Sequence, residues 1–460
     1  MTDRRTWQLT AGAAGVGLAI AAGAVTAAGP WDSGQRTAER DRAAAPGRTG
    51  GAHHQPVRST APPGPAPAPS APGVLPAAAR PAALPAPVAK ALAPLMKDRG
   101  LGPVVSVSVV DAATGKALYG KQAGVPMTPA STVKIATAVA VLAAVGPAHR
   151  IPTTVVAAPD HRSITLVGGG DPTLDEARLR ALADSTAHAL REHGVSTVRL
   201  AYDTSLYKGA VRHPIGVNPN IAPITPLALN EGRLDSSTSG PAPRSADPAR
   251  DAAVAFVGML SVRGINTEAG PVRAVRPAKS VLLARTHSAP VGALVERMLT
   301  NSDNDIAEAL ARQAAIASGR PASAAGAGAA VAARLKGLKL PLAGARFADA
   351  CGLNRADKVS ASLLTALLAR AADPAHPRLR PALTGLPVAG FTGTLSDRPA
   401  AAGAGLVRAK TGSLTGVDTL AGTVVTPGGR LLAFAFLAGK TPHYGAGRPA
   451  LDRMAASLAR

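Results

Sequence analysis

The sequence of 460 residues predicts a mixed α/β protein of the α+β type. The expected architecture is an antiparallel sheet assembled from both ends of the chain and flanked by helices, with a smaller α/β unit inserted between them. Three observations carry this expectation: period-two strands near both ends of the folded sequence, an apolar helix just after the first of them, and a strand–helix–strand run between.

The elements follow in order. Arg4-Arg5 precede an uncharged, small-residue run from Leu9 to Gly29. Residues 1–29 therefore read as an export signal or an N-terminal membrane anchor. The run is long enough to span a bilayer and Ala22-Gly23-Ala24 is a weak cleavage match, which favours an uncleaved anchor with the remainder outside the membrane. Residues 30–85 are rich in Ala and Pro, as in Ala61-Pro62-Pro63-Gly64-Pro65. With few large apolar groups to offset chain entropy, they read as a disordered, extended linker; the His53-His54 pair within it could bind a metal, but an isolated pair in such a tract is more often without a role.

Folded sequence starts near Val88 with a helical stretch to 98, then Val104-Val105-Ser106-Val107-Ser108-Val109-Val110 alternates as a strand. The turn Ala112-Ala113-Thr114-Gly115-Lys116 leads into Ala117-Leu118-Tyr119, closing a hairpin. Thr128-Pro129-Ala130-Ser131-Thr132-Val133-Lys134 opens a helix that is apolar on nearly every face and stops at Gly146-Pro147, so it belongs inside the domain. In the inserted unit, Ser163–Val167 is a strand and Gly168-Gly169-Gly170-Asp171-Pro172 a tight turn. Thr173 and Glu176 have capping-box spacing at the start of a helix ending at Gly194, and Thr197–Leu200 is a second strand. Near the end, Leu420–Val425, the turn Thr426-Pro427-Gly428-Gly429 and Arg430–Leu437 form a second hairpin, and a helix follows from about Pro449.

Composition narrows the function. A formal charge of +22 with only 2% aromatic residues suits an acidic partner, yet there is no zinc finger, RNA-binding signature or aromatic platform, so nucleic acid is set aside. An anionic cell envelope fits the charge; so does a merely arginine-rich composition. The single cysteine, Cys351, excludes an intramolecular disulfide and a cysteine-based zinc cluster.

Chemistry begins at Ser131 and Lys134. Three residues apart on a helix they share a face, so the amine can reach the hydroxyl and activate it as a nucleophile. The competing reading is a serine helix cap with a lysine that snorkels to solvent. Two further short motifs follow: Ser302-Asp303-Asn304, at the junction of two helical stretches, and Lys410-Thr411-Gly412-Ser413, opening an edge strand. Singly, each is also an ordinary cap or turn.

Together, Ser-x-x-Lys, Ser-Asp-Asn and Lys-Thr-Gly are the set found in class A β-lactamases and penicillin-binding proteins. With Leu166–Leu174, Leu229-Asn230-Glu231, Gly352-Leu353 followed by Arg355, and Leu386-Pro387-Val388-Ala389-Gly390 with Gly393-Thr394-Leu395, the chain resembles the D-alanyl-D-alanine carboxypeptidase/endopeptidases. These are class C low-molecular-mass penicillin-binding proteins, peptidase family S13. The resemblance implies a β-lactamase/transpeptidase-like catalytic domain formed by 86–150 and 286–460, with a domain of 151–285 inserted between the first and second motifs.

It further implies a serine hydrolase that cleaves peptidoglycan stem peptides through an acyl-enzyme and is acylated by β-lactam antibiotics, exported and without metal or cofactor. Ser131 would be the nucleophile and Lys134 its base, the lysine held neutral by burial and by Lys410. Ser302 would relay a proton to the leaving amine, Asn304 would hold Lys134, and Lys410 with Thr411, Gly412 and Ser413 would bind the terminal carboxylate. The N–H groups of Ser131 and Ser413 would form the oxyanion hole. By the same resemblance Asp171 is a candidate for binding a diaminopimelate amine, against a turn-forming role. Asp349-Ala350-Cys351-Gly352-Leu353 stands where the family has Asp-Gly-Ser-Gly-Leu, and this loop borders the cleft in relatives. The alternatives are a serine β-lactamase, for which Glu308 is placed by no motif as the deacylating base, and a catalytically silent wall-binding protein. His161, His213, His287 and His443 show no catalytic spacing.

Overall fold

A computed structural model describes residues 88–216, 218–398 and 403–460. The signal or anchor of 1–29 and the whole Ala/Pro-rich segment of 30–85, with its His53-His54 pair, lie outside the described residues. Among the described residues, no helix is long and apolar enough to cross a membrane.

The helical start is broken: Val88–Leu92 makes one helical turn and a 3-10 turn follows at Leu95–Lys97, separated by Pro94. The chain then runs through β1 (Val104–Asp111), β2 (Ala117–Lys121), a 3-10 turn at Ala130–Val133 and α1 (Lys134–Val145). The middle sequence forms β3 (Pro152–Ala157), β4 (Ser163–Val167), α2 (Glu176–Glu192), β5 (Thr197–Asp203), α3 (Pro248–Ser261), the short β6 (Asn266–Thr267) and β7 (Val272–Arg273), and β8 (Val281–His287). Helices α4 (Val291–Asn301), α5 (Asn304–Ile316), α6 (Ala324–Gly337) and α7 (Ala361–Ala372) come next. The chain closes with β9 (Val407–Leu414), β10 (Val417–Val425), β11 (Leu431–Gly439) and α8 (Arg448–Ser457).

The first sheet has the order β2-β1-β11-β10-β9 and is antiparallel throughout, so strands from the two ends of the chain meet at its centre, as the sequence predicts. The second sheet, β6-β5-β4-β3-β8, is mixed, with β4 and β5 parallel and β3 antiparallel to both neighbours. It covers residues 152–287. The tight turn after β4 is glycine because of close backbone approach: a Cβ on Gly169 would lie 1.7 Å from the Pro152 carbonyl oxygen.

Alternation along the strands assigns the two faces of the first sheet. Val105, Val107, Val109, Leu420, Val424, Phe434 and Phe436 pack on the side of α8. Ala421, Ala433, Ala435 and Leu437 face α1, α4, α5 and α7. The small alanines on this face let the helical layer sit close to the strands, and α1 is buried from Lys134 to Leu142. An all-round apolar helix has no solvent face to offer, which is why it lies at the centre.

Two local expectations are corrected. The cap of α2 is Asp175, which accepts from the Arg178 N–H; Thr173 instead turns its hydroxyl to Asp171. Ser131 caps nothing, because it lies inside the 3-10 turn that precedes α1 and no side-chain cap bond is made there.

Phe434 and Phe436 are fully buried and stack at 4.9 Å between ring centroids in a core with few other aromatics. Phe434→Ala should therefore cost about 3–5 kcal/mol, read as a lowered denaturant midpoint with unchanged slope.

Candidate active site

The site forms where three distant stretches meet. The edge strand β9 runs beside the 3-10 turn so closely that a Cβ on Gly412 would lie 3.0 Å from the Ser131 nitrogen and 2.9 Å from the Pro129 oxygen. Thr419 on β10 ties the turn down by donating its hydroxyl to that Pro129 oxygen at 2.8 Å. Ser131 is left half-buried at the base of a cleft of about 610 Å³ that Ser302, Asn304, Thr411, Gly412 and Ser413 also line.

Lys134 is completely buried, so the snorkelling alternative does not describe it. Its Nζ lies 2.6 Å from the Cys351 carbonyl oxygen, 2.7 Å from Asn304 Oδ1 and 3.0 Å from Ser131 Oγ. Burial lowers its pKa below the ordinary lysine value, and the negative charges of Asp349, Asp303 and Glu308 only partly oppose this. Lys410 is also fully buried and sits beneath the strand, its Nζ donating to the Thr411 carbonyl at 2.9 Å. Burial, with the nearby charge of Lys134, holds it well below the lysine range.

Asn304 begins α5. Ser302 takes a left-handed conformation (φ 59°), and Asp303 caps the helix by accepting the Ile306 N–H at 2.9 Å. The Asn304 amide is oriented by its other end, which donates Nδ2–H to the Asn220 carbonyl at 2.8 Å and so turns Oδ1 towards Lys134. Residues from the middle of the chain support this junction. Asp305 accepts from the Ala222 N–H at 2.9 Å and pairs with the buried Arg244 at 3.0 Å, while Arg244 also donates to the Glu231 carbonyl at 2.7 Å. Glu231 holds both Arg233 and Arg297, and burial beside Asp303 pushes its carboxyl up to about 8.

The loop 349–354 supplies what the sequence did not disclose: its contribution to the lysine is a backbone carbonyl. Gly352, at φ 88°, allows no Cβ, which would lie 2.0 Å from the Ala130 oxygen. Thr137 on α1 donates to the Ala350 carbonyl at 2.7 Å, and Glu308 on α5 accepts the Ala350 N–H at 2.8 Å. Asp349 collects the N–H groups of Cys351, Gly352 and Asn354, and pairs with the buried His213 at 3.0 Å. Burial opposes ionisation of Asp349, but the hydrogen bonds of His213, Asp357 and the loop N–H groups outweigh it and keep the carboxylate low. Burial and that facing charge push Asp357 up to about 9. The Cys351 thiol is buried and pushed up by desolvation, so it is no competing nucleophile.

Asp171 does not line the cleft. Its carboxylate is buried, paired with Arg178 at 2.6 Å and bonded by the Thr173 N–H and hydroxyl, the turn-forming alternative. Glu308 is occupied by Arg312 at 2.8 Å and by the Ala350 N–H, which leaves no oxygen directed at an acyl group on Ser131.

The family model for the D-Ala-D-Ala carboxypeptidase 3 (S13) family matches residues 88–243 and 235–458. A carboxypeptidase of Mycobacterium tuberculosis is 37% identical over 372 residues, 76% of this chain and 79% of that protein. Carboxypeptidase DacB of Mycolicibacterium smegmatis is 36% identical over 382 residues, 77% and 80% of the two chains. Among solved structures, penicillin binding protein 4 of Haemophilus influenzae has the same fold, with a TM-score of 0.68 at 21% identity over 80% of this chain and 98% of that one. A match that runs through every described element and both sheets leaves no part of the fold outside it: the chain belongs to the S13 family of D-Ala-D-Ala carboxypeptidases.

Proposed function

We propose that the protein is a serine-type D-Ala-D-Ala carboxypeptidase/DD-endopeptidase that hydrolyses peptidoglycan stem peptides and is acylated by penicillins. The observation that carries this is the buried Lys134 amine at 3.0 Å from Ser131 Oγ, with its two shorter contacts taken by acceptors that can only receive hydrogen. A neutral amine has two N–H groups and one lone pair. If the N–H groups serve Asn304 Oδ1 and the Cys351 carbonyl, the lone pair is directed at the serine proton.

In this reading Ser131 Oγ attacks the carbonyl of the D-Ala-D-Ala bond as its proton passes to Lys134. The N–H groups of Ser131 and Ser413 receive the oxyanion, a contribution of about 3 kcal/mol per donor. Ser302 passes a proton to the leaving nitrogen as the C–N bond breaks, and water then releases the acyl group from the serine. Lys410, buried under β9, holds the strand and adds positive charge when protonated; Thr411, Gly412 and Ser413 bind substrate along the strand. Work on peptidoglycan lies outside the membrane, and residues 1–29 as signal or anchor remain part of the proposal. A serine β-lactamase is disfavoured because Glu308 is engaged elsewhere.

Ser131→Ala should abolish labelling by a fluorescent penicillin and release of D-Ala while the circular dichroism and melting temperature stay those of the wild type; surviving activity would remove the nucleophile assignment, and an unlabelled wild type would favour a silent wall-binding role. The second expectation concerns pH. Because burial lowers the Lys134 pKa, the neutral base gains population as pH rises, so the acylation rate constant should climb to a plateau with a midpoint below 10.5. A stopped-flow profile that stays flat or falls over that range contradicts Lys134 as base.

A further inference from the structure

Among the described residues five arginines line the cleft, and four are committed within the fold. Arg233 pairs with Glu231, Arg244 with Asp305 and Arg398 with Asp452, while Arg355 donates to the Thr415 carbonyl. The fifth, Arg448, is different. Its Nε–H goes to Ser413 Oγ at 3.1 Å, and among the described residues neither Nη group has an acceptor. The side chain is 37% exposed, and its guanidinium lies over the Tyr444 ring at 4.6 Å, which fixes its plane.

The groups behind it are already satisfied. Asp418 is fully buried; one oxygen takes the Ser413 hydroxyl proton at 2.7 Å and the other the Gly447 N–H at 3.0 Å. Asp418 lies 3.7 Å from Arg448 Nε, and Arg448 is among the residues that line the cleft. Lys410, on the substrate strand β9, does not line the cleft and is turned to its own backbone. A planar fork of N–H donors beside the substrate strand is the geometry that recognises a carboxylate bidentately.

We propose that Arg448, held by Ser413 and Tyr444, binds the free α-carboxylate of the residue released from the substrate and sets the preference for a chain end over an uncharged one. The inference rests on the acyl-transfer reading above and adds the residue that selects the leaving group. It makes the released residue a free D-amino acid, or a cross-linked residue that retains its carboxylate at that centre.

The test compares a peptide ending in D-Ala-D-Ala as the free acid with the same peptide as its C-terminal amide, on the wild type, Arg448→Gln and Arg448→Lys. The wild type should prefer the acid. In Arg448→Gln the acid-to-amide ratio of kcat/KM should fall about 10- to 100-fold, the loss appearing mainly in KM, with Arg448→Lys in between. An unchanged ratio, including an equal loss on both substrates, overturns the proposal, and because it is a ratio a partly misfolded variant cannot imitate the expected result. End-point labelling with fluorescent penicillin separates the two readings: an unlabelled wild type defeats the function, whereas a labelled Arg448→Gln with an unchanged ratio defeats only the role of Arg448.

Discussion

The structure turns on one amine that water cannot reach. Lys134 is fully buried and meets three polar groups: the Ser131 hydroxyl one turn before it, a side-chain amide from the head of α5, and a backbone carbonyl from the 349–354 loop. Burying a cationic group costs several kcal/mol even after relaxation, and that cost favours the uncharged form. The apolar faces of α1, the alanine face of the sheet and the helical layer supply the dry surroundings. The same packing that stabilises the domain therefore sets the protonation state its chemistry needs.

The middle of the chain enters this arrangement through polar contacts rather than through its own core. The Asn220 carbonyl orients the Asn304 amide, and Arg244 joins the Glu231 backbone to the Asp305 carboxylate beside it. Asn230 and Glu231 both hold positive φ, at 44° and 56°, an arrangement that non-glycine residues adopt at a cost and that persists only where the surroundings impose it. Here the imposition comes from two arginines converging on one buried carboxylate. The Leu-Asn-Glu phrase is thus a structural joint between the second sheet and the head of α5.

Much of this was legible in the residues. Alternating strands, the all-round apolar helix and the three short motifs specified the antiparallel sheet and brought Ser131, Lys134, Ser302, Asn304 and the β9 segment to one cleft, because each follows from local period or local chemistry. What stayed hidden depends on pairings across long sequence distance. His213 looked incidental, yet it is a buried partner of Asp349. Asp171 looked like a ligand for an amine, and its amine-like partner proved to be Arg178, seven residues along on the start of α2. Thr173 had capping-box spacing, but Asp175 stood nearer the helix and took the cap. In each case the residue type was right for several partners, and only the fold chose among them.

The Cys351 carbonyl has a different kind of consequence. Because the oxygen that receives the Lys134 hydrogen belongs to the main chain, exchanging the side chain at 351 cannot delete it. The vulnerability of this contact is displaced to its neighbours: to Gly352, where any Cβ collides with the Ala130 oxygen, and to Asp349, whose carboxylate gathers the loop. The Cys351 side chain is itself fully buried in the helical core and does not line the cleft, so the catalytic geometry is lost at Gly352 and Asp349 and not through the chemistry of the thiol.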